Sequence, residues 1–373
     1  MSIAGQSEQM PVVAVAASDF GWGSVGKLRL VLERLSDAVD LVLVARDEQD
    51  AATINGLLGF ADPLRPGHFE DADVALVIND PTLAEMAWSA AVPVVYVDSL
   101  PYLRATADEV PQHEVTYCAQ RVLGGVPLKG GPLDERADIV WIEPIVPNTR
   151  HQGGQRRGIV LNVGGLHSHL SGRAERAYLD LVVQPLVEEL VEVGAPVAAV
   201  CGNIDEIATA AISELIPGVP VGRLAGPVFE GLVGEAALLI TSPGSTTVLQ
   251  AAAAGTPACL LPPQNLSQIL NTELFRAGVF GVVAWPTSVL DRAVIDALWV
   301  EGEDTALSYI YDRMISSASE AGVRAELRER LAELVASWDK WAAATVTGPP
   351  GRGAAQVANE VLRLLKRRIA PTG

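Results

Sequence analysis

The chain has 373 residues, more than the roughly 250–300 that a single hydrophobic core usually supports, so its length predicts two domains. Hydrophobic residues make up 49% of it, yet no apolar run reaches the about 18 residues of a membrane span, and the polar N-terminus resembles no signal peptide. The formal net charge of -18 argues against a nucleic-acid partner, because acidic surfaces repel a phosphate backbone. We therefore expect a cytoplasmic protein.

Short runs of β-branched residues, separated by helical stretches, indicate strands of parallel sheets that are covered by helices on both faces. A first series of such runs lies at residues 12–16, 40–45, 73–78, 92–97 and 138–142. A second series lies at residues 158–163, 196–201, 237–241 and 257–261. Since the alternation of strand and helix starts afresh, the predicted fold class is α/β with two Rossmann-like domains.

The segment between the two series has the composition of a linker. Residues 143–157 contain two prolines and two glycines and show no apolar period. The sequence therefore predicts one domain over residues 1–150 and a second over residues 151–353. A last helical segment, residues 354–373, is expected to pack back on the first domain.

Three cysteines occur singly in apolar surroundings, at Cys118, Cys201 and Cys259. The odd count and the absence of C-x-x-C spacing argue against a disulfide framework or a metal site. We expect them to be small buried core residues.

The most informative stretch is residues 242–250, which follow the predicted strand 237–241 and open an alanine-rich helix. A strand that leads through a glycine-containing turn into a helix presents backbone N–H groups and the positive helix end to a diphosphate. Gly244 permits close approach of the backbone to such a ligand. The hydroxyl groups of the turn belong to Ser242, Ser245, Thr246 and Thr247. An ordinary N-cap cluster of serine and threonine is the alternative interpretation.

This turn is followed by residues 254–257 (Ala-Gly-Thr-Pro), by two prolines at 262–263 and by residues 268–271 (Gln-Ile-Leu-Asn). The ordered set resembles the C-terminal half of GT-B glycosyltransferases, both the small-molecule UDP-glycosyltransferases and the N-acetylglucosaminyltransferase that makes lipid II. The resemblance extends over roughly residues 158–282. It implies two Rossmann-like domains that face each other across a cleft. It also implies a nucleoside diphosphate sugar as co-substrate, with no further cofactor and no metal.

In the families that the chain resembles, a turn of small residues holds the donor diphosphate and a carboxylate in the following helix binds the ribose. Gly244, Thr246 and Thr247 match that turn, and Gln250 stands in place of the carboxylate. The neutral amide of Gln250 still bonds to hydroxyl groups but lacks the charge of a carboxylate.

The same families bind the sugar hydroxyls through an Asp-Gln pair. Here Ser267 and Gln268 occupy these two positions, so the aspartate is missing, and Asn271 matches an asparagine that often follows. Without the aspartate, the identity of the sugar stays open.

Two further segments match the resemblance. Gly164 and Gly165 follow the predicted strand 158–163, where the family has a glycine loop that borders the donor phosphates; a plain glycine-rich turn is the alternative. Phe229 precedes the strand 237–241 by a short helix, where the family grips the base, and a plain core role is the alternative.

The loop after the first strand permits a competing interpretation. Gly21, Gly26 and Lys27 satisfy the G-x-x-x-x-G-K pattern of P-loop proteins. Leu28 occupies the place of the hydroxyl residue that holds magnesium, and no aspartate at a strand end clearly supplies the second ligand. A P-loop-type nucleotide-binding regulator is therefore the alternative from another functional class.

In the GT-B resemblance this loop belongs to the acceptor and donor surface, with Gly23 and Ser24 in the site. Many members carry Gly-His-Gly-His there, whereas residues 21–24 are Gly-Trp-Gly-Ser, so the usual histidine base is absent. Asp19 is the nearest titratable replacement and Asp98 a second candidate. For Asp19, a loop residue that caps the following helix is the alternative interpretation. Lys27 is expected to neutralise a diphosphate or a sugar carboxylate, and a solvated lysine in the first helical turn is the alternative.

Two histidines, His167 and His169, follow the glycine pair of the second domain. Residues at this spacing do not share a helix face, and no cysteine or carboxylate set accompanies them. The sequence therefore predicts no zinc site.

The loop from Asp19 to Ser24, with Gly26 and Lys27, also resembles that of cytosylglucuronate synthases of nucleoside-antibiotic pathways, which join glucuronate from UDP-glucuronic acid to cytosine. A ring nitrogen is a better nucleophile than an alcohol, so such an acceptor is compatible with the missing histidine. We expect a metal-independent glycosyltransferase of secondary metabolism acting on a nucleotide sugar and a small acceptor. A UDP-sugar epimerase of the same fold is the alternative, and the sequence leaves a homodimer open.

Overall fold

The computed structural model describes residues 10–18, 22–104, 110–122, 133, 136, 138–147, 151, 153, 155–165, 172–343 and 351–369. The chain folds into two compact units. The first unit comprises Met1–Arg121, Gly125–Val146 and Gly351–Gly373, and the second comprises Val122–Gly124 and Pro147–Pro350. Each unit is an α/β domain with a parallel sheet, which confirms the predicted fold class.

Within the described part of the first unit, seven parallel strands form one sheet in the order β3-β2-β1-β4-β5-β6-β7. The strands are β1 (Val12–Ala17), β2 (Asp40–Leu43), β3 (Arg65–Pro66), β4 (Val74–Ile78), β5 (Val94–Asp98), β6 (Thr116–Gln120) and β7 (Val140–Ile142). The helices that follow β1, β2 and β4 are α1 (Trp22–Leu35), α2 (Glu48–Leu58) and α3 (Pro81–Ser89). Every residue of β4 and β5 is buried, as expected of strands that are apolar on both faces.

The described part of the second unit holds a six-stranded parallel sheet in the order β10-β9-β8-β11-β12-β13. Its strands are β8 (Ile159–Asn162), β9 (Val197–Cys201), β10 (Val221–Gly222), β11 (Leu238–Thr241), β12 (Ala258–Leu260) and β13 (Gly281–Val282). Its helices are α4 (Arg173–Tyr178), which continues through a π-helical turn (Leu179–Val183) into α5 (Gln184–Glu192), then α6 (Glu206–Leu215), α7 (Gly226–Glu235), α8 (Ser245–Ala254), α9 (Leu266–Phe275), α10 (Arg292–Glu301), α11 (Glu303–Ser317), α12 (Ala321–Ala336) and α13 (Trp338–Ala342).

Both sheets have the strand order of a Rossmann fold. The order reverses between β1 and β4 in the first sheet and between β8 and β11 in the second. At such a reversal the neighbouring connections leave toward opposite faces of the sheet, so a crevice opens outside the carboxyl ends of the two strands. In open α/β sheets, ligands commonly bind at such reversals.

The last helix of the chain, α14 (Gly353–Ile369), belongs to the first unit. Its apolar face, which includes Val357, Val361 and Leu365, packs into the same core as Leu28 and Leu32 of α1. None of the helices formed by the described residues has the length and apolar composition needed to cross a membrane. Cys118, Cys201 and Cys259 are all buried and free, which confirms the prediction for these residues.

A buried ion pair stands at the carboxyl end of β5. Asp98 is fully buried, and Arg104 donates to both of its carboxylate oxygens, from Nε to Oδ2 at 2.9 Å and from Nη2 to Oδ1 at 3.1 Å. The Tyr117 hydroxyl donates to Oδ2 at 2.6 Å and the Leu100 N–H donates to Oδ1 at 2.9 Å. Burial and the charge of Asp98 raise the pKa of Tyr117, so its hydroxyl remains a donor. Because both oxygens are occupied, the expectation that Asp98 is a second candidate base is wrong.

We predict that Arg104→Met lowers the free energy of unfolding by about 3–5 kcal/mol, because it leaves the buried Asp98 carboxylate without its counter-charge. Arg65→Met is the matched control, since it breaks the exposed pair of Arg65 with Asp40 and is expected to cost less than about 1 kcal/mol. Urea unfolding of both variants measures the difference. Equal losses would contradict the structural role assigned to the buried pair.

Candidate functional site

The strand-order reversal of the second unit is held together by the side chain of Asn162, the last residue of β8. Its Nδ2 donates to Thr241 Oγ1 at 3.0 Å and to Thr247 Oγ1 at 3.4 Å. The Ser242 N–H donates to the Asn162 carbonyl at 2.9 Å. One residue therefore ties the end of β8 to the end of β11 and to the first turn of α8.

Gly164 brings the loop after β8 against the turn after β11. Its φ is +67°, and a Cβ added there would lie 3.1 Å from Ser242 Cβ, so the site requires glycine for both conformation and space. Its carbonyl accepts from the Asn203 N–H at 2.7 Å. A Cβ added at Gly165, in contrast, would meet no heavy atom within 4 Å in the part of the chain that the structure describes. The second glycine thus borders open space.

Helix α8 begins directly after this turn without a capping side chain. Gly244 is its N-cap residue, its φ is −73°, and a Cβ added there would meet no heavy atom of the described residues within 4 Å. The alternative interpretation of an ordinary serine and threonine N-cap is therefore wrong. Ser245 Oγ is buried and has no hydrogen-bond partner among the described residues. An uncapped helix start beside open space fits an anion, because the first-turn N–H groups and the helix dipole both favour negative charge.

Gln250 lies further along the same helix and is 3% exposed. Its Nε2 is buried without an acceptor in the part of the chain that the structure describes. A buried donor left without an acceptor costs about 1–3 kcal/mol, so such a group calls for a ligand or water oxygen. The position is compatible with the ribose contact that the family resemblance implies.

Gln264, in the loop after β12, joins this site although the sequence analysis did not single it out. Its Nε2 donates to the Val163 carbonyl and to Ser242 Oγ, both at 2.7 Å. Its backbone N–H donates to Gln268 Oε1 at 2.9 Å. The sequence feature that could have indicated Gln264 is its position as a polar residue directly after the two prolines that follow the buried strand β12.

Two aromatic residues hold the two carbonyls that precede Gln264. The Tyr178 hydroxyl donates to the Pro262 carbonyl at 2.8 Å, and Trp285 Nε1 donates to the Pro263 carbonyl at 2.7 Å. Burial raises the pKa of Tyr178 to about 12, so the hydroxyl keeps its proton at neutral pH. The loop that carries Gln264 is therefore fixed from both sides.

Helix α9 supports the turn after β11 through Asn271, whose Nδ2 donates to the Pro243 carbonyl at 2.8 Å. Ser267 donates to Asn265 Oδ1 at 2.8 Å, and the same oxygen accepts from the Gln268 N–H as the N-cap of α9. Ser267 is thus engaged in the helix cap. Gln268 is buried next to Gly164, with Nε2 3.8 Å from the position of an added Cβ there.

Phe229 lies in α7, where it is partly buried against a cluster that includes Val233, Leu239 and Ala258. The packing supports a core role for much of the ring. Its contact with a nucleobase stays a prediction.

In the first unit, Ser24 and Lys27 lie on α1, close to the reversal between β1 and β4. Asn79, which directly follows β4 with φ 58°, donates from Nδ2 to Ser24 Oγ at 2.8 Å and to Ser99 Oγ at 2.9 Å. Its Oδ1 accepts from the Ser99 N–H at 2.8 Å. Asp19, Gly21, His167 and His169 lie outside the described residues. The roles predicted for Asp19 and Ser24 stay predictions.

Lys27 is 2% exposed, and its Nζ donates to the Gly23 carbonyl at 3.2 Å. Burial lowers the pKa of Lys27 from 10.5 to about 8, so the amine is mostly charged at neutral pH and neutral above pH 8. This places a titratable cation inside the first unit, so the alternative of a solvated lysine is wrong.

The position of α1 contradicts the P-loop interpretation. The helix begins at Trp22, so Gly26 and Lys27 lie inside it, where backbone N–H groups bond to carbonyls one turn earlier. A phosphate-binding loop needs backbone N–H groups that are not already hydrogen-bonded within a helix. The match to G-x-x-x-x-G-K is therefore coincidental.

Among the residues that the structure describes, no group of three or more histidine, cysteine, aspartate or glutamate side chains is arranged to hold a metal ion.

Comparison with known proteins gives a family and a fold. A family model described as CGA synthase-related protein matches residues 37–309, more than half of the chain. No curated protein matches this chain. Solved structures similar to it include a glycotransferase of kitacinnamycin, with 15% identity over 95% of this chain and 99% of that one at a TM-score of 0.50.

A UDP-glucosyltransferase from Polygonum tinctorium is 11% identical over 97% of this chain and 100% of its own, at a TM-score of 0.50. The MnaA protein of S. aureus, solved with UDP, is 10% identical over 96% of this chain and 97% of its own, again at a TM-score of 0.50. At these identities the similarity shows the fold, which is that of GT-B glycosyltransferases.

The burial of Lys27 predicts a pH-dependent difference in stability. Between pH 8 and pH 10.5 the unfolded chain holds more protons at this residue than the folded protein does, so stability rises with pH in that window. Lys27→Met removes the buried charge, and we expect it to raise the free energy of unfolding at pH 7 by up to about 3 kcal/mol.

Urea unfolding of the parent and the Lys27→Met variant at pH 7 and pH 10 measures this effect. The gain should shrink at the higher pH. A gain that is absent at pH 7, or equal at both values, would contradict the assignment of a buried, readily deprotonated amine.

Proposed function

The chain belongs to the family of CGA synthase-related proteins, and we propose that it is a glycosyltransferase that moves a sugar from a nucleoside diphosphate sugar to a small acceptor. The observation that carries the proposal is the start of α8, an uncapped helix end beside open space at the strand-order reversal of the second unit. The GT-B fold of the chain and the ordered motifs after β11 support the same assignment.

In this proposal the second unit binds the donor. The diphosphate lies at the first turn of α8, where Gly244 leaves room for it and Ser245, Thr246 and Thr247 supply N–H and hydroxyl donors. The amide of Gln250 bonds to the ribose, and Phe229 borders the base. As the bond between the sugar and the diphosphate breaks, the helix end stabilises the negative charge that develops on the leaving group. No metal is needed in this scheme.

The first unit acts on the acceptor in this proposal. The acceptor nucleophile gives up one proton to Asp19, forms a bond to the anomeric carbon, and displaces the nucleoside diphosphate. Ser24, fixed by Asn79, orients the acceptor, and the charged Lys27 offsets an acidic group of the substrates.

The finer proposal is that the donor is UDP-glucuronic acid and the acceptor is cytosine, in an antibiotic pathway. It rests on the family description and on the resemblance of the loop at residues 19–27 to cytosylglucuronate synthases. The test is incubation with both compounds and detection of a conjugate by mass spectrometry. We expect a product that requires both substrates. Conversion of the nucleotide sugar into an isomeric nucleotide sugar without any acceptor would indicate an epimerase instead.

We predict that Gly244→Val reduces UDP affinity by at least about a hundredfold while the protein remains folded. At φ −73° a branched side chain is tolerated by the backbone, but it fills the space that the diphosphate needs at the helix end. Isothermal titration with UDP measures the loss.

Gly322→Val in α12 is the matched control, because a Cβ at Gly322 also meets open space but lies outside the site. It should bind UDP like the parent protein. Parental UDP affinity in folded Gly244→Val would remove this helix end from the site.

A further inference from the structure

The side-chain amide of Gln264 has only one orientation that its surroundings permit. Nε2 faces the Val163 carbonyl and Ser242 Oγ, each at 2.7 Å. A flipped amide would place two oxygen atoms against each other at the Val163 carbonyl, which is an acceptor only. The two N–H donors of the amide are therefore both used inside the protein.

This orientation leaves Oε1 of Gln264 as a defined hydrogen-bond acceptor. The residue is 5% exposed, and Oε1 has no partner among the described residues. Leaving a buried acceptor unsatisfied costs about 1–3 kcal/mol, whereas satisfied amides are the rule in folded proteins. Gln264 thus uses three hydrogen bonds to hold its position and keeps one buried acceptor atom without a partner among the described residues. Such an acceptor is suited to a ligand hydroxyl.

The chemistry of Oε1 selects among the parts of a nucleotide sugar. A carbonyl oxygen accepts and cannot donate, so it gains nothing from ionised phosphate oxygens. A hydroxyl group donates and fits. Gln264 bonds to Ser242, only two residues before the N-cap of α8, so the hydroxyls next to a diphosphate held there are those of its sugars. Gln250 already serves the ribose in the proposed scheme.

We propose that Gln264 is a specificity-determining residue for the transferred sugar, whose hydroxyl donates to Gln264 Oε1. The inference rests on the proposed donor site at α8. It adds a residue that compensates for Ser267, which stands where related enzymes have an aspartate and which is occupied in the cap of α9.

Gln268 contributes a hydrogen-bond donor beside the acceptor of Gln264. Its Oε1 accepts from the Gln264 N–H, so its Nε2 is the group left to face Gly164. The two glutamines thus offer one acceptor and one donor from neighbouring positions, and a hydroxyl group can bond to either. The sugar is read by neutral amides, without a carboxylate.

The test compares UDP with UDP-sugars on the parent protein and on Gln264→Met. Titration calorimetry uses UDP, UDP-glucuronic acid, UDP-glucose and the 2-, 3- and 4-deoxy analogues of UDP-glucose. We expect Gln264→Met to bind UDP within about twofold of the parent and to lose about threefold to tenfold in affinity for a UDP-sugar. To the parent protein, one deoxy analogue should bind less tightly than UDP-glucose. To Gln264→Met, the same analogue and UDP-glucose should bind with equal affinity. Gln49→Met, at an exposed position of α2, is the matched control.

Each outcome decides the inference. An unchanged preference for the UDP-sugar in Gln264→Met, or equal loss of UDP and UDP-sugar in the folded variant, overturns it, because Oε1 then serves water or the residue serves only the loop. If Gln264→Met does not fold, the deoxy series on the parent decides, and equal affinities across the series overturn the inference. Failure of the parent to bind UDP at all refutes the proposed function instead.

Discussion

In the second sheet the strand order turns back on itself between β8 and β11, and the connections after these strands leave toward opposite faces. At this place the backbone N–H and C=O groups at the ends of both strands are buried and need hydrogen-bond partners. Asn162 meets this constraint by bonding to Thr241, Thr247 and the Ser242 backbone at once. With the turn fixed in this way, α8 starts at Ser245, with Gly244 as its N-cap residue and no capping side chain. Such a helix end favours an anion.

The need to pair buried polar groups by hydrogen bonds also fixes the other polar residues of the site. Tyr178 and Trp285 hold the carbonyls of Pro262 and Pro263, so Gln264 enters the crevice with its amide already oriented. A preorganised amide loses little freedom when a ligand arrives, which makes each contact worth more for recognition. In the first unit Asn79 fixes Ser24 at the corresponding reversal, while the ion pair of Asp98 and Arg104 satisfies the end of β5.

Strands with continuous apolar runs were predictable from the sequence, as β8 and β11 show against the expected runs 158–163 and 237–241. Strand β6 was missed, because its polar end residues Thr116 and Gln120 leave only three residues between them to form an apolar run. The turn at Gly244 was found because its residue types and order are local. The role of Gln264 depends on a contact with Val163, 101 positions earlier, which no local pattern reveals. The P-loop pattern misled because spacing alone does not say where a helix begins.

We propose that the nucleotide binds at the carboxyl ends of β8 and β11. Hydrogen–deuterium exchange of the full chain with and without UDP tests it most directly, because a bound diphosphate protects the amides that it contacts. We expect slower exchange in peptides that cover residues 162–165 and 242–250, and little change over α1 at residues 22–35. Protection confined to α1, with none after β11, would contradict it.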